Sequence, residues 1–290
     1  MKRVPAVLAI LATISCAAAQ DTPGANGAPS ENRYDIVGKV FAPICSVLLM
    51  GGQSPNRAMS FHMVMKDVTG RLPKQFNGAT LDAAAQFPNK VKLVAPVLGE
   101  QVTVCRDGDV VWATPGAKVE YLLEQFKGKL PKPIAVKANT PIFLPVTAQQ
   151  AVFLPALFTL DEGKQFDTLD GEPVRVISGG LMPELAKSTK SEDFRAEMWV
   201  AAGYVPRQMR ITRRDFTATV QIKDLQFVPK LPGKTWQPPE GVTDIYRTTP
   251  EVLQQLLFVV MNSVNVKPKT DAADTLTPDA TPTPAAPQLP

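Results

Sequence analysis

Residues 102–115, VTVCRDGDVVWATP, contain two short strand patterns joined by a tight turn. Residues 102–106 and 110–113 are rich in valine, a β-branched residue that favours strands. The turn between them, RDGD at residues 106–109, includes an Asp-Gly pair, which is a strong signal for a short hairpin. This stretch therefore predicts an antiparallel β-hairpin.

Strand patterns continue on both sides of the hairpin. Residues 59–66 alternate, which puts Phe61, Met63 and Met65 on one predicted face. Further strands are predicted at residues 81–87, 90–95, 174–179, 196–200, 207–212 and 217–225. A succession of short strands with turns between them is typical of an antiparallel sheet.

Helical spacings occur near both ends and in the middle of the chain. Residues 34–49 repeat apolar side chains at helical intervals, with a break predicted at Pro43. Residues 119–126 and 148–158 show the same spacing. A last helix is predicted at residues 250–262, because a threonine cap, a proline and an acid come just before its apolar run. Together the patterns predict an α+β protein, in which a curved antiparallel sheet carries helices on one face.

The two ends of the chain differ in composition from the middle. Residues 1–19 have two basic residues, an apolar run and a small-residue exit, which is typical of a cleaved secretory signal. Residues 20–32 and 266–290 are expected to be disordered, which leaves one folded domain at residues 33–265. The apolar run of the signal is too short to span a bilayer, so we expect an exported periplasmic protein that is not transmembrane.

Cys16 introduces an alternative for the processing of the signal. Residues 13–16 (TISC) loosely match the site at which bacterial lipoproteins are cut and acylated, although Thr13 stands where leucine is usual. Acylation of Cys16 would anchor the protein to a membrane, whereas cleavage after Ala19 would remove Cys16. Because the alanines at 17–19 form the better cleavage sequence, the prediction is that Cys16 is lost.

The charge balance argues against a nucleic-acid partner. Without Lys2 and Arg3, 29 basic side chains stand against 27 acidic ones, and nucleic-acid-binding proteins normally carry a clustered basic patch. A local group of four arginines at residues 207–214 alternates with Met209 and Ile211. This alternation favours the solvated face of a strand, with contact to anionic lipid head groups as the alternative.

Residues that could support catalysis or bind a metal are scarce. His62 is the only histidine, and no nucleophile–base arrangement surrounds it. The glycine pairs at residues 51–52 and 179–180 lack the rest of a phosphate-binding pattern. Cys45 and Cys105 could form a disulfide in an oxidising compartment or stay reduced, and the residues do not decide between the two. We therefore expect a protein that is not an enzyme, with no catalytic residue, no metal site and no cofactor.

Large apolar side chains are concentrated in the predicted strands and in the central helical region. Methionine is flexible and polarizable, so a wall rich in Met and Phe can adapt to acyl chains of different shapes. The same composition also fits an ordinary filled core. The residues expected to line a lipid cavity are Phe61, Met63, Met65, Trp112, Phe143, Phe153 and Leu157.

Four motifs, in order along the chain, resemble those of the periplasmic lipoprotein carriers known as LolA-like proteins. They are MSFH at 59–62, PNK at 88–90 with the hairpin at 102–115, NTPIFL at 139–144 and WQPPEGV at 236–242. The resemblance implies an unclosed β-barrel covered on one face by helices, with an apolar cavity for acyl chains. The implied partner is a lipid or an acylated lipoprotein, and the implied role is transport or sorting between membranes.

One departure from the LolA-like pattern concerns the lid of the cavity. The carriers commonly have an arginine just before the Pro-Asn pair, which latches the lid, and this chain has Phe87 there. The same fold is also used by sensor proteins, and fold alone does not determine function. The alternative prediction is a non-catalytic sensor or scaffold of the cell envelope, with a filled core and a protein partner.

Overall fold

In the computed structural model of this 290-residue chain, the described residues include twelve antiparallel strands that form one continuous sheet. The structure describes residues 31–49, 55–72, 74–133, 157–162 and 166–262. The strands are β1 Ala58–Gly70, β2 Thr80–Gln86, β3 Lys90–Val97, β4 Glu100–Asp107, β5 Val110–Thr114, β6 Phe158–Leu160, β7 Phe166–Leu169, β8 Glu172–Leu181, β9 Arg195–Ala201, β10 Val205–Arg213, β11 Phe216–Val228 and β12 Tyr246–Thr248. The predicted signal with Cys16 and the tail at 266–290 lie outside the described residues.

The sheet has two ends and is not closed into a barrel. Its order is β12-β5-β4-β3-β2-β1-β11-β10-β9-β8-β6, and β7 pairs with β8 beside this path. β1 pairs with β11, although the two strands are far apart in the sequence. Each has 13 residues, and the pairing runs from Ala58 opposite Val228 to Gly70 opposite Phe216. This pairing unites the two halves of the chain in one sheet. The predicted fold class, α+β with an unclosed antiparallel half-barrel, is confirmed.

Tight turns connect many of the neighbouring strands. The hairpin predicted at 102–115 forms as β4 and β5, with Gly108 in its turn at a φ of 66°. Asp170 and Gly171, between β7 and β8, have φ values of 51° and 83°. Positive φ at both central residues is the requirement of the type I′ hairpin turn, and an Asp-Gly pair meets it at low cost.

Within the described residues, four α-helices accompany the sheet: α1 Arg33–Leu49, α2 Gly116–Gln125, α3 Pro183–Thr189 and α4 Leu253–Asn262. α1 packs in one core cluster with residues such as Phe61, while α2 and α4 pack together in a second cluster on β3 to β5. By register, Phe61 on β1 and Val104 on β4 share one face of the sheet. We call it the inner face and the opposite one the outer face. None of the described helices has the length and hydropathy needed to cross a membrane.

Several predicted elements need correction. α1 runs through Pro43 without the predicted break, because its apolar side packs against the sheet and Pro43 lies on its exposed side. A helix was predicted at residues 148–158, but its last residue, Phe158, is the first residue of strand β6. The short elements β6, β7, α3 and β12 were not predicted, whereas α4 and the other strands lie where the patterns placed them.

The segment after β11 folds back over the outer face. Trp236 is buried there beside Trp112 and Cys105, and the indole Nε1–H of Trp112 donates a hydrogen bond to the Trp236 carbonyl at 2.9 Å. Further along, the Asp244 carboxylate accepts a hydrogen bond from the Ala117 backbone N–H at 3.0 Å and so caps α2. The motif at 236–242 thus closes the domain from the outer side before α4 crosses to the inner side.

The start of α1 is tied to the far half of the sheet by a carboxylate. Glu31 binds Lys39 and Arg175, and the Tyr204 hydroxyl donates to Glu31 Oε1 at 2.6 Å. The hydrogen bond from Lys39 is the largest cause that lowers the pKa of Glu31 from 4.5 to about 2, followed by those from Tyr204 and Arg175. The same hydrogen bond raises the pKa of Lys39. Glu31 therefore ionises more readily in the folded chain than in the unfolded one.

The substitution Glu31→Gln tests this tie through the pH dependence of stability. The contribution of Glu31 is complete above its ordinary pKa of 4.5 and is lost as the pH falls through the folded value of about 2. We expect the wild type to be more stable than the variant at neutral pH, with a difference that shrinks between those two values. Urea unfolding followed by circular dichroism across this range measures it. A difference that stays constant with pH would contradict the ionic tie.

Two substitutions of Trp112 separate packing from hydrogen bonding on the outer face. Trp112→Ala should lower the free energy of unfolding by about 3–5 kcal/mol, because it leaves a cavity beside Trp236. Trp112→Phe keeps a ring and removes the donor to the Trp236 carbonyl, so its cost should be about 1–3 kcal/mol. Equilibrium urea unfolding measures both, and equal losses would show that packing contributes little.

Candidate functional site

A row of partly exposed apolar side chains crosses four neighbouring strands on the inner face. We call this set the apolar row; its members are Met63, Met65, Leu81, Met209, Ile211, Val220 and Ile222, from β1, β2, β10 and β11. All seven side chains are half-buried, whereas many apolar residues under α1 and α4, such as Met59 and Val104, are buried. The apolar row is therefore a part of the inner face that the described helices do not completely cover.

The strand register makes the apolar row continuous. Met63 lies opposite Leu81 on one side and Ile222 on the other. Two residues along β1, Met65 lies opposite Val220, which in turn lies opposite Met209. Directly opposed residues in antiparallel strands have Cβ atoms about 5 Å apart, so these side chains contact one another across the sheet. The result is one connected apolar surface.

The apolar row lies beside both helix clusters of the inner face. Met63, Leu81 and Met209 pack against the edge of the α1 cluster, and Leu81 also packs against the cluster of α2 and α4. Leu81 is thus the side chain at which the two clusters meet. Because these residues stay half-buried, the surface that they present is not completely occupied by the helices.

No member of the apolar row is charged, and the nearest charged side chain on the same face of β10 is Arg213, at one end of the row. The outer face of these strands carries polar and charged contacts at neighbouring positions. His62 Nδ1 lies 2.5 Å from Asp82 Oδ1, and Arg210 lies 3.3 Å from Glu197. The uncharged apolar row suits an apolar chain, because a charged group brought onto it would lose its hydration without gaining a partner.

Methionine is concentrated on the inner face. Of the described methionines, Met59, Met63, Met65, Met198 and Met209 lie there. Met59 and Met198 are buried under α1, while Met63, Met65 and Met209 are half-buried members of the apolar row. Their flexible thioether chains can repack around apolar ligands of different shape.

The residues predicted to line a lipid cavity fall into three groups. Phe61, Met63 and Met65 share the inner face of β1, with Phe61 buried in the α1 cluster and the two methionines in the apolar row. Leu157 is half-buried and stands directly before β6, three strands beyond β10 in the sheet. Phe143 and Phe153 lie outside the described residues.

Trp112 is placed on the outer face, which corrects the prediction that it lines the cavity. Its partner across β4 and β5 is Cys105, and both belong to the cluster around Trp236. The side chain is 1% exposed and anchors the closing segment. Alternation along β5 fixes only that Trp112 and Val111 point to opposite sides, and the register with β4 assigns Val111 to the inner face.

Cys45 and Cys105 do not form a disulfide, so that alternative is wrong. Cys45 lies in α1 on the inner face, whereas Cys105 lies on the outer face of β4. The sheet separates the two thiols, and a disulfide requires Cα atoms within roughly 7 Å. Burial is the main cause that raises the pKa of the Cys105 thiol to about 12, which makes it unreactive at neutral pH.

The structure places His62 on the outer face, directly opposite Asp82, with its side chain partly exposed. A polar contact between two partly exposed side chains contributes little to stability. In the described ranges, no group of three or more His, Cys, Asp or Glu side chains is arranged to hold a metal ion.

The arginines at 207–214 divide between two environments. Arg207 binds Glu172 with two hydrogen bonds of 3.0 and 3.2 Å, and Arg210 pairs with Glu197 and lies over the Trp199 ring at 5.1 Å. Arg213 lies instead on the inner face, two residues beyond Ile211. The expected solvated strand face holds for Arg210.

Sequence reasoning missed five members of the apolar row as site residues: Leu81, Met209, Ile211, Val220 and Ile222. The signal was available, because both β10 and β11 alternate apolar and polar residues. What it lacked was the pairing of β11 with β1, which brings these residues beside Met63 and Met65.

Comparison with protein-family models and with curated proteins finds no match. Solved structures similar to the chain include the lipoprotein LppX of Mycobacterium tuberculosis, at 16% identity over 64% of this chain and 94% of that chain, with a TM-score of 0.33. LprF from Mycobacterium bovis shares 12% identity over 63% and 93% of the two chains, with a TM-score of 0.32.

A domain from Vibrio parahaemolyticus assigned as an outer membrane lipoprotein-sorting protein is also similar, at 10% identity over 70% of this chain and 95% of that chain, with a TM-score of 0.27. All three likenesses have TM-scores below 0.5 and identities of 16% or less, and they carry no argument about function.

Proposed function

We propose that this protein binds the acyl chains of a lipid or lipoprotein on the apolar row of its inner face. The observation that carries the proposal is a continuous, uncharged and partly exposed apolar surface flanked by two helix clusters. Each CH₂ group that leaves water contributes about 0.8 kcal/mol, so a surface of this kind can hold an acyl chain without any polar contact.

The proposed role is that of a carrier. After export by a cleaved signal, the protein would act in the periplasm and shield acyl chains during transfer between membranes. Binding of this kind needs no bond to be made or broken, and therefore no catalytic residue. The resemblance of the motifs to LolA-like proteins supports this reading, as does the methionine content of the surface.

A second candidate is a sensor or scaffold of the cell envelope. The packing of Met63, Leu81 and Met209 against the α1 cluster supports it, because it shows that part of the apolar row already has partners within the chain. In this case the inner face would serve only as a core, and a protein would be the partner. The two functions differ in whether purified protein takes up lipid.

The substitution Met63→Asp tests the carrier function, with Val64→Asp as the matched control. Met63 belongs to the apolar row, whereas Val64 is the next residue of β1 and points to the outer face. An unpaired carboxylate in the apolar row should weaken acyl-chain binding roughly tenfold or more, and Val64→Asp should change it little. Displacement of a fluorescent fatty acid measures the binding, and circular dichroism verifies that both variants fold.

Native mass spectrometry of the protein purified without detergent provides the independent readout. Co-purified lipid or acylated peptide at near-stoichiometric level would identify the class of cargo. Protein that carries no lipid and takes up none would exclude the carrier and favour the sensor or scaffold. Equal binding by Met63→Asp and wild type would remove β1 from the binding surface.

A further inference from the structure

One end of the apolar row meets a group of charged side chains. On β10 the residues Met209, Ile211 and Arg213 alternate onto the inner face, so Arg213 follows directly after the apolar row. Its partner across the hairpin is Phe216, which is buried. A ligand that fills the apolar row toward this end would therefore bring its next chemical group to the guanidinium of Arg213.

The hydrogen-bonding capacity of Arg213 is incompletely used. Its Nε–H is buried and has no hydrogen-bond partner within the described part of the chain, although the side chain as a whole is 27% exposed. The nearest carboxylate, Asp193, lies 3.8 Å from the Nη2 atom, beyond hydrogen-bond distance. The other oxygen of Asp193 accepts the Arg214 backbone N–H at 2.6 Å. A buried donor that has no acceptor among the described residues is available to an acceptor group of a ligand.

The ionic contacts at this end leave one donor and one acceptor unsatisfied. Arg71 Nε pairs with Asp215 Oδ2 at 2.7 Å, and Arg213 lies near Asp193. The other oxygen of Asp215, Oδ1, is buried without a hydrogen-bond donor among the described residues. The site thus offers the Nε–H donor of Arg213 and the Oδ1 acceptor of Asp215.

We infer that Arg213 binds the anionic head group of an acyl lipid whose chain lies on the apolar row. This inference rests on the proposed acyl-chain binding and assigns its substrate class. The planar guanidinium of arginine can donate to two oxygens of a phosphate or carboxylate at once, which a neutral head group cannot exploit. A hydroxyl on the same head group would supply the donor that Asp215 Oδ1 lacks.

The test compares two lipids with the same chain and a glycerol head, of which only one carries phosphate. Palmitoyl-lysophosphatidylglycerol is anionic, and monopalmitoylglycerol is neutral; both are titrated below their critical micelle concentrations. The variant is Arg213→Gln. The matched control is Arg210→Gln, the same change on the same strand but on the outer face, where Arg210 pairs with Glu197.

The wild type should bind the anionic lipid about tenfold more tightly than the neutral one. Arg213→Gln should abolish that preference, and its dissociation constant for the neutral lipid should stay within about twofold of the wild-type value. Arg210→Gln should keep the preference, and so should Arg213→Lys in part, since it retains the charge. Unchanged binding of the neutral lipid by Arg213→Gln shows directly that the variant is folded.

Three outcomes would overturn the inference. If Arg213→Gln weakens both lipids equally, Arg213 has a structural role only. If wild type binds both lipids equally, acyl-chain binding stands and the head-group site does not, whereas binding of neither lipid removes the proposed function as well. Displacement of the anionic lipid by inorganic phosphate at comparable concentration would mean that the site takes a free anion and not a lipid head group.

Discussion

The antiparallel pairing of β1 with β11 is the constraint on which the structure depends. It is a pairing of two long strands from opposite halves of the chain, and it joins the early meander of β1 to β5 to the later one of β8 to β11. Without it the chain would hold two smaller sheets. With it, Met63 and Met65 acquire Ile222 and Val220 as neighbours, and the inner face becomes one surface wide enough for helices and a ligand.

The two faces of this sheet are stabilised by different physics. The inner face is apolar and is covered in two places, by α1 and by the pair α2 and α4, through the hydrophobic effect. The outer face carries cross-strand polar and ionic contacts and two local apolar clusters, one around Trp236 and one around Trp199. Since the helices cover the inner face unevenly, the apolar row between them stays accessible. The proposed function follows from this incomplete coverage.

Most of the regular elements could be predicted from local patterns. The long strands and the helices α1, α2 and α4 have clear periodicity, and their positions agree with the structure. The elements that escaped prediction are β6, β7, β12 and α3, which have three to seven residues each. A segment of that length shows too little periodicity to be recognised. The three short strands form instead by pairing with the longer strands β5 and β8. Pro43 shows the converse, where packing of α1 overrides a local signal.

The sequence alone determined which side chains of a strand lie together, because alternation has a period of two. It therefore grouped Phe61, Met63 and Met65 correctly. Only the tertiary structure decided which of the two sides faces the helices, since a shift of register by one residue inverts every side chain. This is why Trp112 was assigned to the wrong face. Arg213 differs, because alternation alone already separates it from Arg210 and groups it with Met209 and Ile211. The pairing of distant strands then decided which of those two sides is the outer face and which carries the apolar row.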